Sequence, residues 1–490
     1  MKKKARTFSC TGHHPQVNIS DCLLPIFQIP AIILLLAICF VPSSSSSTSN
    51  RKPAPPPLPI LPIPNAFQLQ WQLGEMALFL HFGMNTFTDS EWGTGRVNPS
   101  VFNPSKLNAT QWVRVAKEYG FSRILLTAKH HDGFCLWPSD YTDYSVRASK
   151  WRNGTGDVVA ELAAAAMDAG IGLGLYLSPW DRHEPCYGKT LEYNEHYLAQ
   201  MTELLTRWIG DEAGVAGSTC WSIFNKSAIE IGDYKPQYSG RGDPFGHDWV
   251  PAECDVSIRH GWFWHASEVP KSARTLLDIY YKSVGRNCHL LLNLPPNSSG
   301  LISDEDIQVL QEFSDIRSSI FSHNLALNAL LRASSTRGGT QDFRFSPYNV
   351  LEEGIQTYWA PGVNQSTWVL YIDLQRLVSF NVVKLQEPIQ MGQRVIEFHL
   401  ETLDKGVWKR VANGTTIGYQ RLLRFPELKS QRLKLQIDKS RAEPLIAYFG
   451  IYMDRVSISS DMSDGNLVAR FNGSQVVRSA TQNYSQVAAT

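Results

Sequence analysis

One repeated pattern in the N-terminal two-thirds of the chain constrains its fold: a helix, a glycine and a buried strand follow one another twice. The first unit covers residues 108–128, with Gly120 between a helical stretch and a β-rich run. The second covers residues 157–177, with Gly170 in the same place after an Ala-rich helix. Alternating units of this kind predict an α/β fold, with a parallel sheet and helices outside it.

Polar side chains follow the predicted strands directly. In a TIM-like (β/α) barrel the chemistry gathers at the carboxyl ends of the strands, so these residues are candidates for a binding site. They are His81 after the run 76–80, His130 and His131 after 124–127, Tyr176 and Trp180 around the end of 173–177, and Asn293 after 289–292. A Ser303-x-x-Asp306 pattern then predicts a capped helix.

In the third unit, no predicted strand follows the helix. A helix over residues 192–206 runs directly into Trp208, and from Pro179 to Arg286 only residues 219–224 resemble a strand. A complete eight-stranded barrel should have a strand every ~30 residues. The sequence therefore predicts an incomplete barrel that lacks about one to two βα units.

Changes in composition predict five segments. Basic residues and then an apolar run at 23–41 indicate a signal peptide or signal anchor, and a proline-rich stretch follows. After residue ~325 short alternating runs are typical of an all-β sandwich, and the end is rich in Ser, Asn and Gln. The predicted segments are 1–50 (leader), 51–65 (proline-rich linker), 66–320 (barrel), 325–455 (β-sandwich) and 456–490 (loose tail).

The charge balance argues against two classes of partner. With a formal net charge of +1, the chain has no basic excess that would capture nucleic acid, and we expect no stable membrane partner unless the leader is retained. No CxxC or HExxH spacing occurs, so we predict no catalytic metal and no cofactor. One or two disulfides are possible among the scattered cysteines, with no pairing indicated.

Glycosylation sequons agree with the leader in predicting a secreted, extracellular protein of the cell wall or apoplast. The acceptor asparagines are Asn108, Asn153, Asn225, Asn297, Asn364, Asn413, Asn472 and Asn483.

Six motifs together resemble one enzyme family. LFLHFGMNTF at 78–87, SEWG, LLTAKHHDGFCLWPS, GLYLSPWDRHE, WIGDEAGVAGSTCW and PAECDVSIR resemble plant-type α-L-fucosidases of glycoside hydrolase family 29, of the type that prefers α-1,3/4-linked fucose. The resemblance covers about residues 66 to 455 and implies a TIM-like barrel followed by a β-sandwich. It also implies hydrolysis of terminal α-L-fucose from glycans with retention of configuration, so the expected partner is a fucosylated glycan.

The resemblance assigns roles to individual residues. It implies a fucose-binding set, to which the strand-end pattern adds Trp180: His81, Glu91, Trp92, His130, His131 and Tyr176. Glu212 in GDEAG is similar to the acid/base, and Glu253 in PAECD is the second choice. Arg259 and Trp262 are left out of the predicted site, because His260 stands where a proline is usual.

The family's nucleophile has no counterpart here. Members place an Asp at a strand end between the helix matching residues 192–206 and the loop of Glu212, whereas here Arg207 runs into Trp208. The remaining candidates lie in polar loops without a preceding strand: Asp211, Asp233 and Asp243. We therefore expect an internal loss of about fifty residues. Three outcomes stay open: an impaired fucosidase, a non-catalytic fucose-binding protein, or a truncated chain that misfolds.

Overall fold

The computed structural model describes residues 53–204, 215–225, 238 and 240–456. The predicted leader lies outside these ranges, as does nearly all of the predicted tail. Within the described ranges no helix is both long and apolar enough to cross a bilayer.

The first two-thirds of the chain contains helices α1 to α7 and strands β1 to β7. The helices are α1 (Ala66–Leu73), α2 (Met84–Thr88), α3 (Ala109–Glu118), α4 (Val158–Ala169), α5 (Thr190–Leu204), α6 (Ala273–Lys282) and α7 (Asp304–Phe321). The strands are β1 (Met76–Leu80), β2 (Arg123–Lys129), β3 (Gly172–Leu177), β4 (Ile223–Phe224), β5 (Asp248–Trp249), β6 (Ala252–Ser257) and β7 (Cys288–Asn293).

Local signals place the helices of the two repeated units as predicted. Asn108 caps α3 by accepting a hydrogen bond from the Gln111 amide at 3.0 Å. Asp157 caps α4 in the same way, and Gly170 ends it at φ 63°, a left-handed conformation that glycine adopts without strain. The predicted cap of α7 is wrong in detail, because the Ser303 side chain makes no capping hydrogen bond.

Five parallel strands form the sheet, in the order β3-β2-β1-β7-β6. Phe79, Asn293 and Ser257 lie opposite one another on one face, near the carboxyl ends of β1, β7 and β6. In the described ranges, strands β3 and β6 end the sheet on either side, so the TIM-like barrel is not closed there. β1 and β7 are buried throughout, whereas β3 is partly or fully exposed from Gly172 to Tyr176.

Strand β6 lies between Pro179 and Arg286 and was not predicted from the sequence. Its residues alternate between polar and apolar, with Glu253 and Asp255 separated by Cys254. Since the polar members face the interior of the barrel, no apolar run marks the strand in the sequence. Cys254 forms a disulfide with Cys288 on the neighbouring strand β7.

The C-terminal region is the predicted antiparallel β-sandwich, with strands β8 to β13. They are β8 (Leu330–Ala333), β9 (Trp368–Gln386), β10 (Val395–Asp404), β11 (Val407–Gly414), β12 (Arg421–Ser440) and β13 (Tyr448–Tyr452). The pairing order is β11-β10-β12-β9-β13, and β8 also pairs with β9. The two runs 368–374 and 382–385 both lie within the single strand β9. The pairing of β9 with β12 contains register shifts, which bend both strands.

The sandwich packs directly on the barrel half. The Tyr419 hydroxyl donates to the carbonyl of Cys288 at 2.9 Å, and Arg424 pairs with Asp278 of α6 at 2.6 Å. Tyr419 and Leu422 are buried in the same apolar core as β1 and β7. Burial of this shared apolar surface favours folding of the two regions together.

The proline-rich segment 53–63 is extended and lies against the sandwich. Arginine side chains donate to its carbonyl groups: Arg394 to Leu58 at 2.6 Å and Arg441 to Leu61 at 2.9 Å. The Ile60 amide donates to the carbonyl of Met391 at 3.0 Å. The segment therefore supplies an acceptor for Nη2 of Arg394, an arginine that is fully buried.

Gly392 allows this close approach, and its replacement tests the contact. At φ 87° an added Cβ would collide with the carbonyl oxygen of Ile60, whereas Gly406, at φ 82°, has nothing within 4 Å. We expect Gly406→Ala to lower the free energy of unfolding by about 1 kcal/mol through backbone strain alone. Gly392→Ala should lower it by about 2–4 kcal/mol, because overpacking adds to the strain. Urea titration measures both, and equal losses would show that the segment contributes nothing to stability.

Candidate functional site

An aromatic pocket forms where β1 and β2 end. The ring centroids of His81 and His130 are 5.5 Å apart, and that of Tyr176 is 6.3 Å from His130. The loop after β6 closes the other side: Trp262 lies 5.1 Å from His81, and Phe263 lies 4.8 Å from His130. These rings and imidazole nitrogens provide apolar faces and hydrogen-bonding groups, which suit a sugar.

One amide fixes the protonation of His81. Asn293 donates from Nδ2 to the carbonyl of Trp262 at 2.8 Å and to Ser257 Oγ at 2.9 Å, so its Oδ1 must be an acceptor. His81 Nδ1 lies 2.9 Å from this Oδ1 and therefore carries the proton. Nε2 is left as the free acceptor. Burial lowers the pKa of His81 to about 3, so the imidazole is neutral at ordinary pH.

The two neighbouring histidines are neutral for the same reason. Burial holds the pKa of His130 well below its usual range, and it lowers the pKa of His131 to about 4. Asn85 Nδ2, which also donates to the carbonyl of Glu91, lies 3.4 Å from His130 Nδ1. His130 Nδ1 is thus placed as an acceptor and Nε2 as a donor, so His81 and His130 differ in what they offer a sugar hydroxyl.

The mouth of the pocket is formed by two tryptophans. Trp92 and Trp180 lie 5.2 Å apart, and each is about 5 Å from His131. Their exposed fractions are 48% and 45%, against 7% for His81. A bound sugar chain would therefore enter past Trp92 and Trp180 and end among the histidines.

Glu91 lies beside the pocket and anchors its far wall. Its two carboxylate oxygens accept hydrogen bonds from the amides of Trp262 and Phe263 at 3.1 and 3.2 Å. His265 Nε2 lies 2.8 Å from Glu91, and hydrogen bonds to Asp89 and Glu91 raise the pKa of His265 against the opposing effect of its burial. Glu91 thus positions the loop that carries Trp262.

A buried polar cluster supports the mouth from behind. Lys129 Nζ donates to Asp181 and to Gln200 of α5, each at 2.8 Å. The other Asp181 oxygen accepts from the amides of His183 and Glu184. This cluster ties the loop of Trp180 to strand β2, which carries the histidines.

Comparison with known proteins decides the family. The family profile described as Alpha-L-fucosidase matches residues 67–213. Alpha-L-fucosidase 1 of Arabidopsis thaliana is 61% identical over 454 residues, covering 82% of this chain and 90% of that protein. The chain belongs to the α-L-fucosidases of glycoside hydrolase family 29, and to their plant type.

Two further relatives agree. A protein of Oryza sativa subsp. japonica is 58% identical over 468 residues, covering 86% of this chain and 90% of its own length. A Ruminococcus gnavus family 29 fucosidase in complex with fucose superposes with a TM-score of 0.75 at 31% identity, covering 82% of this chain and 96% of that one. Fold and enzyme class thus agree: an α-L-fucosidase whose TIM-like barrel precedes a β-domain.

Of the two candidate acid/base residues of this fucosidase, the structure describes only Glu253. Glu212 lies outside the described residues. Glu253 is no loop residue: it lies on β6, four residues before the strand end at Ser257, and hence about 13 Å from it along the strand. Burial and the neighbouring Asp255 hold the pKa of Glu253 well above its usual range. The structure does not bring Glu253 to the aromatic pocket.

The sequence reasoning missed several residues of the fucosidase pocket. The residues predicted for the site do not include Trp262 or Phe263, and the sequence places Asn293 only at a strand end. The run Gly261-Trp262-Phe263 directly after the SIR motif was a usable signal, since a glycine followed by aromatics is typical of a binding loop. Arg259, by contrast, is structural: its guanidinium pairs with buried Asp306 at 3.1 Å.

Replacing Asn293 by aspartate should change how the pocket binds fucose. A carboxylate beside His81 favours the imidazolium and raises its pKa, so Nε2 becomes a donor in place of an acceptor. We expect Asn293→Asp to bind L-fucose about three- to tenfold more weakly at pH 5, the equivalent of one hydrogen bond, and to recover as the pH rises and His81 deprotonates. The affinity of the wild-type protein for L-fucose should not change through titration of His81 between pH 5 and 8, because His81 stays neutral over this range.

Titration calorimetry with L-fucose at pH 5 and at pH 8 measures this effect. Ser257→Ala is the control, since it removes one partner of the amide without placing a charge beside His81. An Asn293→Asp variant whose affinity is the same at both pH values would contradict the assigned tautomer.

Proposed function

We propose that this chain is a retaining α-L-fucosidase for α-1,3/4-linked terminal fucose whose catalysis is impaired by loss of the nucleophile segment. The observation that carries the proposal is the pocket itself: neutral histidines and aromatic rings assembled at the strand ends of a family 29 fold. His81, His130, Tyr176 and Trp262 contact the fucose. Glu212 is the acid/base.

The lengths of the alignments support the loss. The Arabidopsis relative aligns over 454 residues, whereas 82% of this 490-residue chain is about 402 residues, so about 52 residues of the relative have no partner here. The rice relative aligns over 468 residues against 86% of this chain, about 421 residues, a difference of about 47. Both differences agree with the length of the gap expected between Arg207 and Trp208.

The open sheet supports the same proposal. In the described ranges, the edge of β3 that faces away from β2 pairs with no strand, and β3 is the parallel strand with the most exposed residues. A closed barrel would place further parallel strands between β3 and β6. Two βα units of ordinary size would occupy roughly 50–60 residues, since each strand with its crossover takes about 30.

The reaction separates into a part that the chain can carry out and a part that it lacks. Neutral His81 accepts from a sugar hydroxyl and His130 donates to one, while Trp262 covers an apolar face of the ring. Glu212 protonates the leaving oxygen. Retention then requires a carboxylate to attack the anomeric carbon from the opposite face, and the sequence predicts no buried strand before the candidates Asp211, Asp233 and Asp243.

Azide should replace the absent nucleophile. With 2-chloro-4-nitrophenyl α-L-fucoside we expect hydrolysis reduced by ~10⁴-fold or more relative to a complete family member. Azide attacks the anomeric carbon as the bond to the phenolate oxygen breaks, giving β-L-fucosyl azide and a free phenolate. Phenolate release by absorbance and the azide's configuration by NMR measure the two products.

Two variants make this experiment decisive. Inserting the matching segment of the Arabidopsis relative after Arg207 should restore hydrolysis without azide, and Glu212→Gln in that restored chain should reduce it for unactivated α-1,3/4-fucosides. Rapid hydrolysis by the original chain in the absence of azide would show that another carboxylate acts as nucleophile and that the proposal is wrong.

A second candidate function has its own support. The residues proposed to contact fucose lie at or just beyond the ends of β1, β2, β3 and β6, and their contacts with one another lie within the described part of the chain. A chain that binds fucose without cleaving it would be a fucose-binding protein of the cell wall. Tight fucose binding with no azide-dependent turnover would favour this function.

We also propose that the protein is secreted to the apoplast and glycosylated, with its leader removed or retained as an anchor. The acceptors Asn364 and Asn413 are exposed, whereas Asn297 is half-buried. Asn297 Oδ1 accepts from the Ser299 amide at 3.0 Å and its Nδ2 lies 3.4 Å from Ser303 Oγ.

Glycan occupancy should follow this difference in exposure. We expect glycopeptide mass spectrometry of protein secreted from plant cells to find glycans at Asn364 and Asn413 and none at Asn297, since a glycan there would displace the contact with Ser303. Asn364→Gln should remove a single glycan in the same measurement. Full occupancy of Asn297 would contradict the prediction.

A further inference from the structure

Arg182 is an exposed side chain that is held in one position at the mouth of the pocket. Its backbone amide donates to the carbonyl of His131 at 3.0 Å, and its Nη1 donates to the carbonyl of Gly93 at 2.7 Å. The guanidinium lies 5.7 Å from the ring centroid of Trp92, within range of a cation–π contact. A guanidinium fixed in this way loses little entropy on binding a ligand.

The neighbouring carboxylates already have side-chain partners. Asp181 pairs with Lys129 at 2.8 Å, Asp143 with His183 at 3.3 Å, and Asp89 with His265 at 2.5 Å. In the portion of the chain that the structure describes, Arg182 forms no ion pair. Its positive charge is therefore available to a ligand.

The charge of Arg182 acts on the pocket. After burial, Arg182 is a further cause of the lowered pKa values of His130 and His131. The backbone hydrogen bond to His131 and the contact with Trp92 hold Arg182 beside the same ring cluster. A ligand that occupies the mouth would meet it.

Depth in the pocket separates two sugar positions. The terminal fucose fits the inner part, where His81 is 7% exposed, and the sugar to which it is attached fits the mouth, where Trp92 is 48% exposed. We propose that Arg182 selects glycans in which the fucose-bearing sugar carries a carboxylate, as a uronic acid does. This inference rests on the proposed function, since it assumes that fucose occupies the inner pocket.

A matched pair of disaccharides tests the selection. The probes are α-L-fucosyl-(1→4)-glucuronic acid and α-L-fucosyl-(1→4)-glucose, which differ only in the carboxylate. At pH 6 and low salt we expect the acid to bind the wild-type protein about three- to fivefold more tightly, as for a favourable exposed ion pair. The preference should disappear at about 0.5 M salt, because the interaction is screened.

Variants distinguish recognition of the charge from support of the loop. Arg182→Gln should bind both disaccharides equally, and Arg182→Lys should keep part of the preference. Arg332→Gln, at an exposed arginine on β8 of the sandwich, should keep all of it. If Arg182 only supported Trp92, Arg182→Gln would weaken both probes by the same factor and leave their ratio unchanged.

L-fucose alone separates the two possible failures. Wild-type protein that binds L-fucose but shows equal affinity for the two disaccharides overturns this inference and leaves the proposed function intact. Wild-type protein that binds no L-fucose overturns the fucose site, and this inference falls with it.

Discussion

The binding half of this fucosidase depends on a single side-chain amide. Asn293, at the end of β7, bonds His81 after β1, Ser257 at the end of β6 and the carbonyl of Trp262 in the loop beyond. Only one orientation of the amide lets Nδ2 donate to both acceptors while Oδ1 faces His81. The amide therefore fixes the spacing of three strand ends, and it also fixes the tautomer of His81. An aliphatic residue of similar size would keep the packing and lose this control.

This arrangement explains why the pocket does not require a closed barrel. The strands that supply it are neighbours in the order β3-β2-β1-β7-β6, and the sandwich packs against the far side of β7 through Tyr419. Each strand from β2 to β7 in that order has partners on both sides, so its backbone hydrogen bonds are satisfied without further strands. The unsatisfied edge is confined to the ends of the sheet, where β3 is exposed.

The sequence predicted strands well where burial of apolar side chains determines the residue pattern. Continuous apolar runs predicted β1, β2, β3 and β7. Of these, β1, β2 and β7 are buried on both faces, and such strands contain few polar residues. β6 escaped prediction because its inward side chains, Glu253, Asp255 and Ser257, are polar. The sandwich was recognisable from its alternation, but the bulges that join two runs into β9 depend on pairing with β12.

The candidate site was predictable in its residues more than in their contacts. His81, His130 and Trp92 follow from strand ends and from the family resemblance, whereas Trp262 was rejected because His260 replaces a proline. The His260 side chain is 97% exposed, and Trp262 nevertheless lies 5.1 Å from His81. The contact of Glu91 with this loop required the three-dimensional structure, because 171 residues separate Glu91 from Trp262.

Fucose binding and bond cleavage make different demands on the protein. Binding uses neutral imidazoles and aromatic faces, which tolerate small displacements because hydrogen bonds and stacking weaken gradually with distance. Cleavage with retention needs two carboxyl groups about 5 Å apart on opposite faces of the sugar, a requirement that only a rigid strand end meets. The proposed loss of two βα units would therefore eliminate the nucleophile, whereas His81 and His130, directly after β1 and β2, have their partners in the described part of the chain. Under this proposal the cleavage chemistry is more fragile than the recognition of fucose, because cleavage depends on the part of a barrel that lies between β3 and β6.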